Sequence, residues 1–343
     1  MNKKKNLNEF IERMPKIELH VHLEGSVQPE TLLELALKNG IALPAETIED
    51  LRKWFVFRNF NNFIEVYLKI SQCIRTPDDI EYITREFLKG QKKQNIIYTE
   101  ITYTPYTHYI QKNLSFSEQL AALEQARKWG RETLGIECRF IMDICRDVTP
   151  REGLITAEWL VSSRSEAVVA LGLGGPEAGF PPERHRDAFE SIKGTRIASV
   201  PHGGEIAGPE SVWGALKTLN ARRIGHGVRS WEDPELIDYL RETGIPLEVC
   251  PTSNLRLNVY PDIDSHVLPK LVESGVRVTI NSDDPVLFNT TLTDEYLLIV
   301  KHFGYNGEDL YRFNTTALEA ALLGSPEKEK LRDDFEKAWN TAG

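Results

Sequence analysis

The 343-residue sequence predicts an α/β fold, a (β/α)8 TIM barrel with a helical cap inserted after its first strand. Three observations carry that expectation. About eight short apolar, β-branched runs alternate with amphipathic stretches along the chain. The first and second runs are separated by about 70 residues, far more than one crossover helix needs. Histidines and aspartates gather at the C-terminal ends of the runs, which converge on one mouth in a parallel barrel.

The first strand, at roughly 17–23, lies in Ile17-Glu18-Leu19-His20-Val21-His22-Leu23-Glu24. Side chains in a strand alternate faces, so His20 and His22 point the same way and make half of a metal site. Alone, such a pair is as readily two satisfied core histidines, and the remaining strands must decide. Those strands fall at roughly 96–103, 136–142, 167–174, 196–202, 222–227, 246–250 and 276–281. Helical patterns run from Pro29 to Asn39, Asp78 to Gln94, Ser117 to Thr133, Pro209 to Leu219, Pro234 to Thr243 and Ser265 to Ser274. Thr76-Pro77-Asp78-Asp79 and Asp233-Pro234-Glu235 are helix starts, and Gly40, Gly244 and Gly275 are helix stops. An open doubly wound sheet would need a phosphate-binding glycine fingerprint after the first strand, and His22-Leu23-Glu24-Gly25 is not one.

The long first connection places a cap at about 45–92, within one barrel unit spanning 1–343. Insertions after a barrel strand emerge on the catalytic face. The cap contains the aromatic run Trp54-Phe55-Val56-Phe57-Arg58-Asn59-Phe60-Asn61-Asn62-Phe63, whose rings serve cap-to-barrel packing or substrate stacking. No internal repeat, low-complexity tract or Ser/Gly-rich linker interrupts the pattern.

Composition is that of a globular protein, 41% hydrophobic and 27% charged. A net charge of −10 and a pI near 5.4 argue against nucleic-acid and acidic-membrane partners. No apolar stretch follows the basic Lys3-Lys4-Lys5, so neither a secretory signal nor a membrane span is expected, and the location expected is cytoplasmic. Cys73, Cys138, Cys145 and Cys250 show no metal-type pairing and read as reduced, small apolar residues.

The chemistry follows from where the polar residues fall. His202 closes the fifth strand in Val200-Pro201-His202-Gly203-Gly204-Glu205, and His226 closes the sixth in Arg223-Ile224-Gly225-His226-Gly227. Asp283 and Asp284 follow the eighth in Asn281-Ser282-Asp283-Asp284-Pro285. His108, His185, His266 and His302 lie in loops or helices and are expected at the surface. Nitrogen-rich ligation with one carboxylate suits Zn²⁺, although iron or another divalent ion fits the same set. His20, His22, His202 and Asp283 are the expected ligands, with room for one water. A metal lowers the pKa of such a water, so a hydrolytic reaction is expected. His226 is then placed to orient or deprotonate the water, and Glu205 to give a proton to the substrate.

Together, His20-Val21-His22, His202-Gly203-Gly204-Glu205, Gly225-His226-Gly227 and Ser282-Asp283-Asp284-Pro285 resemble the adenosine deaminase family of metal-dependent hydrolases, over about residues 14 to 325. The resemblance implies a (β/α)8 barrel, one catalytic Zn²⁺ per chain, and hydrolytic replacement of a purine 6-amino group by oxygen. It implies that Glu205 protonates purine N1, that His226 assists attack at C6, and that Asp284 bonds N7. Gly175, in Leu173-Gly174-Gly175-Pro176-Glu177, matches the glycine whose amide meets N3, and Glu24 matches an acidic residue reaching the sugar. The partner so implied is a small-molecule purine nucleoside: adenosine, deoxyadenosine or 6-aminodeoxyfutalosine.

Some positions depart from the family pattern. His-Gly-Gly-Glu stands where His-Ala-Gly-Glu is usual, and residues 174–182 differ from the Gly-Asp-Glu loop of typical adenosine deaminases. The Gly179-Phe180-Pro181-Pro182 ending is similar to the adenine deaminase branch, which usually has Asp-Ser-Ser-Glu in the loop and Asp before the sixth-strand histidine. The combination looks most like bacterial aminodeoxyfutalosine deaminases, with adenine deaminase or another mononuclear-metal amidohydrolase as alternatives. Amidohydrolases with two metals commonly use a lysine at the fourth strand, and here that strand ends in Gly172-Leu173-Gly174-Gly175. A binding protein without catalysis would need neither Glu205 nor His226.

Overall fold

Strand formation here is driven by burial on both faces, and the parallel pairing follows from it. The computed structural model describes residues 2–57 and 60–342; Arg58 and Asn59 of the aromatic run lie outside the described residues. Eight strands form in chain order: β1 (Lys16–His22), β2 (Ile96–Tyr103), β3 (Glu137–Cys145), β4 (Val168–Gly174), β5 (Ala198–Gly203), β6 (Ile224–His226), β7 (Leu247–Val249) and β8 (Val278–Ile280). Each pairs in parallel with the next, in the order β1-β2-β3-β4-β5-β6-β7-β8, with helices outside, as the sequence predicts.

Strands β6, β7 and β8 are shorter than the runs that predict them, with three residues each. A local cause is visible at the ends of β6 and β8. His226 and Asp283 adopt left-handed backbone, with φ of 61° and 63°, which turns the chain out of the sheet.

The seam between β1 and β8 closes largely through side chains. Val21 and Asp283 form a single parallel bridge, in which His22 N–H donates to Asp283 O at 2.8 Å and Asp283 N–H donates to His20 O at 3.1 Å. Lower down, Asn281 Oδ1 accepts from Leu19 N at 3.0 Å and from His20 N at 3.1 Å, and Asn314 Oδ1 accepts from Ile17 N at 3.0 Å. Amide side chains thus finish the ladder, leaving no orphaned donors on this edge of β1.

Helix boundaries follow local chemistry. Pro77–Lys93 opens on a capping box between Thr76 and Asp79, and Pro29–Asn39 and Pro234–Thr243 end at left-handed Gly40 and Gly244. The Ser117-to-Thr133 pattern becomes an α-helix over Phe116–Trp129 and then a wider π turn over Gly130–Leu134. Between β1 and β2 the chain forms a 3-10 turn, Glu24–Ser26, and four helices, Pro29–Asn39, Ile48–Trp54, Phe60–Cys73 and Pro77–Lys93. Phe63, Val66 and Ile70 of the third of these are buried, so that helix is anchored by its apolar face. No helix among the described residues is long and apolar enough to cross a membrane.

Asn281→Ala should be costly, because it leaves two buried backbone donors without acceptors. A loss of about 2–6 kcal/mol is expected, at about 1–3 kcal/mol per orphaned group. Denaturant unfolding of parent and variant checks it.

Candidate active site

The barrel mouth collects every residue that the sequence nominates for chemistry. His20 and His22 end β1, His202 lies in β5, His226 ends β6, and Asp283 and Asp284 follow β8. Glu205 follows β5, Gly175 follows β4, and Glu24 opens the 3-10 turn after β1. His22, His202, Glu205, His226, Asp283 and Asp284 line a single cavity.

Donor atoms cluster tightly at its floor. His22 Nε2 lies 3.2 Å from His202 Nε2 and 3.4 Å from Asp283 Oδ1, and His20 Nε2 lies 3.5 Å from the same oxygen. Tetrahedral zinc with bonds of about 2.0–2.1 Å sets its donors about 3.3 Å apart, so this spacing fits one ion. Burial lowers His22 to about 4 and His202 well below the ordinary imidazole range, so two neutral rings face each other. Two neutral rings at this distance share one hydrogen bond, or both turn a lone pair to a common cation. His226 stands on the other side of Asp283, with Nε2 3.8 Å from Oδ2 and 3.6 Å from Glu205 Oε1. His226 is also close enough to belong to a donor group with His20, His202 and Asp283.

Behind the donors lies a supporting layer. Glu248 on β7 accepts from His20 Nδ1 at 2.9 Å, which leaves Nε2 free to ligate. Burial works against protonation of His20, but hydrogen bonds with Asp283 and Glu248 outweigh it and lift the ring to about 10. A metal must displace that proton. Arg223, fully buried, bonds Glu248 on one side and Glu100, at 2.6 Å, on the other. Ser253 Oγ donates to Asp283 Oδ2 at 2.6 Å.

The proton-carrying groups have matched environments. Burial, then repulsion from Asp283 and Glu177, raises the Glu205 carboxyl well above the usual range. Burial and the adjacent Asp283 do the same for Asp284. Burial lowers His226 to about 3, keeping it a neutral acceptor. The arrangement thus offers two carboxyls able to donate and one imidazole able to accept.

Glu177 sets the loop that carries Glu205. Its Oε1 accepts from Gly204 N at 2.7 Å, and Oε2 accepts from the backbone N–H groups of Glu205, Ile206 and Ala207 at 3.1, 2.7 and 2.7 Å. Gly175 has φ of 87°, and a Cβ there would meet Cys145 Sγ at 3.0 Å, so glycine suits this wall. The cavity's opposite wall is apolar, with Phe63, Ile64, Tyr67 and Leu68 of the Phe60–Cys73 helix facing Phe288. Phe63 stacks on Phe288 at 5.4 Å between centroids.

Residues 15–338 match the adenosine deaminase family. The chain belongs to that family.

Its family relatives fall into more than one activity. An adenine deaminase from Bordetella parapertussis is 37% identical over 316 residues, covering 92% of this chain and 99% of that protein. An aminodeoxyfutalosine deaminase from Streptomyces coelicolor is also 37% identical, over 344 residues, covering 98% of this chain and 88% of that protein. The crystal structure of an adenine deaminase from Arthrobacter aurescens superposes with a TM-score of 0.90 at 27% identity, covering 94% and 98% of the two chains. Family membership makes this chain a hydrolytic deaminase, an aminohydrolase.

Three histidines correct the sequence expectation of surface positions. His108 is fully buried: its Nε2 donates to Glu24 Oε1 at 3.1 Å, Lys112 Nζ donates to Nδ1 at 2.9 Å, and the ring stacks on Tyr103. His185 and His266 are buried against Arg146 O and Asn254 Oδ1. Each sits on an element whose polar positions turn inward to a specific partner, which hydropathy alone does not register. His302 stays at the surface. Glu24 itself is fully buried, its Oε1 also accepting from Thr104 N at 3.2 Å while Oε2 has no partner.

Sequence reasoning misses Glu248, Arg223 and Ser253. The available signal was an acid inside the apolar run Leu247-Glu248-Val249 of a strand buried on both faces. Glu248→Gln should weaken metal retention about 10–100-fold, the usual effect of losing an outer carboxylate. Competition with a chelator measures it, and circular dichroism should be unchanged.

Proposed function

We propose that this chain is a mononuclear zinc-dependent deaminase that replaces the 6-amino group of an adenosine-type purine nucleoside with oxygen and releases ammonia. The observation that carries this is the placement of Glu205, a buried carboxyl whose proton affinity burial raises, 3.6 Å from His226, a buried imidazole whose proton affinity burial lowers, beside the donor set. Hydrolysis at an aromatic carbon needs both, an acid for the ring and a base for water.

His20, His22, His202 and Asp283 would hold the metal, which would lower the pKa of a water and so supply a nucleophile at neutral pH. Glu205 gives its proton to N1, making C6 electrophilic. Asp284, also protonated, donates to N7, and the Gly175 amide donates to N3. His226 orients the attacking water and accepts its proton. C6 gains the water oxygen, the amino nitrogen takes the proton held by His226 as the C6–N bond breaks and leaves as ammonia, and the remaining proton of the new C6 hydroxyl restores Glu205, giving the 6-oxo ring protonated at N1.

The helix Phe60–Cys73 acts as a cap over the apolar face of the ring. A second cavity of about 870 Å³, lined by Arg52, Phe57 and Arg256 among others, borders the first at Phe288, and a nucleoside extended beyond its sugar, as in the aminodeoxyfutalosine of the Streptomyces relative's name, would have to pass that ring to use it. The free base is the second reading. It is favoured by the enclosure of Glu24, whose Oε1 is taken by Thr104 and His108; the unpartnered Oε2 is what a sugar would have to reach, and a free base would leave it unmet.

Ammonia release by the zinc-loaded protein from adenine, adenosine, 2′-deoxyadenosine and aminodeoxyfutalosine decides among these, and one of them should reach a kcat/KM of about 10⁴ M⁻¹s⁻¹ or more. Failure of every purine at one metal per chain would overturn the proposal.

Glu205→Gln should abolish turnover with metal content intact; full activity would remove its role as acid. Because Glu205 must be protonated to act, kcat should fall as pH rises through its elevated pKa, and a rate profile from pH 5 to 10 shows where that limb lies.

A further inference from the structure

Four carboxyls line the inner cavity among the described residues, and the mechanism above uses Glu205, Asp283 and Asp284 but not Asp143. Asp143 is 3% exposed, on β3, and its Oδ1 is buried without any hydrogen-bond partner. Leaving a buried polar group unsatisfied is costly, so a native structure that does so calls for a reason.

The neighbouring strand is shaped around this carboxyl. Asp143 pairs in register with Gly172, and Cys145 pairs with Gly174. A Cβ on Gly172 would come within 2.3 Å of Asp143 Oδ1, and one on Gly174 within 2.4 Å of Oδ2. Two glycines in one strand weaken it, yet both are what this carboxyl requires. Nor does the nearest guanidinium neutralise it by contact: Arg146 is turned to the carbonyls of Phe180 and His202.

Asp143 also adjoins the strand end that leads into Gly175, the residue assigned above to purine N3. We infer that Asp143 is a further substrate-binding residue, accepting a hydrogen bond from a donor on the N3–N9 side of the bound purine. In a free base that donor is N9–H; in a nucleoside it is a sugar hydroxyl. The assignment rests on the orientation of the purine given in the proposed function. Ionised or neutral, the carboxyl keeps an accepting oxygen, so the contact does not depend on its charge.

The test uses the zinc-loaded full chain with Asp143→Asn and Asp143→Ala, with metal content and thermal midpoint recorded for each. Substrates are adenine, 9-methyladenine, adenosine, 2′-deoxyadenosine and 3′-deoxyadenosine. For the preferred substrate, Asp143→Ala should lower kcat/KM about 10–100-fold, mostly through KM, with metal content unchanged. The loss should shrink to less than threefold on the analogue that lacks the donor, 9-methyladenine for a base or one of the deoxynucleosides for a nucleoside. An equal loss on every substrate, or loss of metal, would assign Asp143 a structural role under the donor floor and overturn the inference, as would unchanged kinetics. Calorimetric binding of hypoxanthine and inosine reads the same contact without turnover. A parent that binds these but deaminates no purine overturns the proposed reaction alone; equal binding by parent and Asp143→Ala overturns the role of Asp143 alone.

Discussion

A chain of buried charge runs through the barrel interior, and the site sits at its head. Glu100 on β2, Arg223 just before β6, Glu248 on β7 and His20 on β1 bond in sequence, each 2% exposed or less. A guanidinium between two carboxylates leaves one negative charge over, and that charge is directed at His20. Isolated, such a chain would be expensive, since desolvation of buried ions often exceeds their mutual attraction. His20, held protonated by this arrangement, brings the chain to neutrality, and a cation that displaced its proton would take over that charge. Four strands are tied into one electrostatic unit by this arrangement, and the positions of the other donors depend on it.

How much of this is legible in the sequence depends on how far a signal must reach. All eight strands are visible, because each is a buried apolar run, and their order follows from the alternation with helices. The His20–His22 pair and the residues closing the fifth, sixth and eighth strands are visible because a strand end is a local feature. The partners behind them are not. Glu248 meets His20 across 228 positions, and Ser253 meets Asp283 only because the barrel has closed. His108 is misplaced for the same reason: its partner Glu24 is 84 positions away. The left-handed backbone of His226 and Asp283 is likewise silent in sequence: histidine and aspartate tolerate it, as asparagine does in five of the eight non-glycine cases among the described residues, but nothing local singles out these two positions. Holding two site residues there stores strain where the chemistry is.

Residues 174–182 act on the site without supplying a ligand. Glu177 gathers four successive amides of the turn after β5, so this segment sets the height of Glu205 above the floor. Gly172 and Gly174 at its root leave space that a side chain from β3 fills. Changes in this segment therefore alter both the placement of the proton donor and the outline of the ring pocket, without touching a ligand.

The seam between β1 and β8 joins two roles in one residue. Asp283 closes the barrel with its backbone and contributes an oxygen to the donor cluster with its side chain. Local opening at this edge and dispersal of the donors are therefore one event rather than two. A cation held by these donors would therefore also tie the first strand to the last.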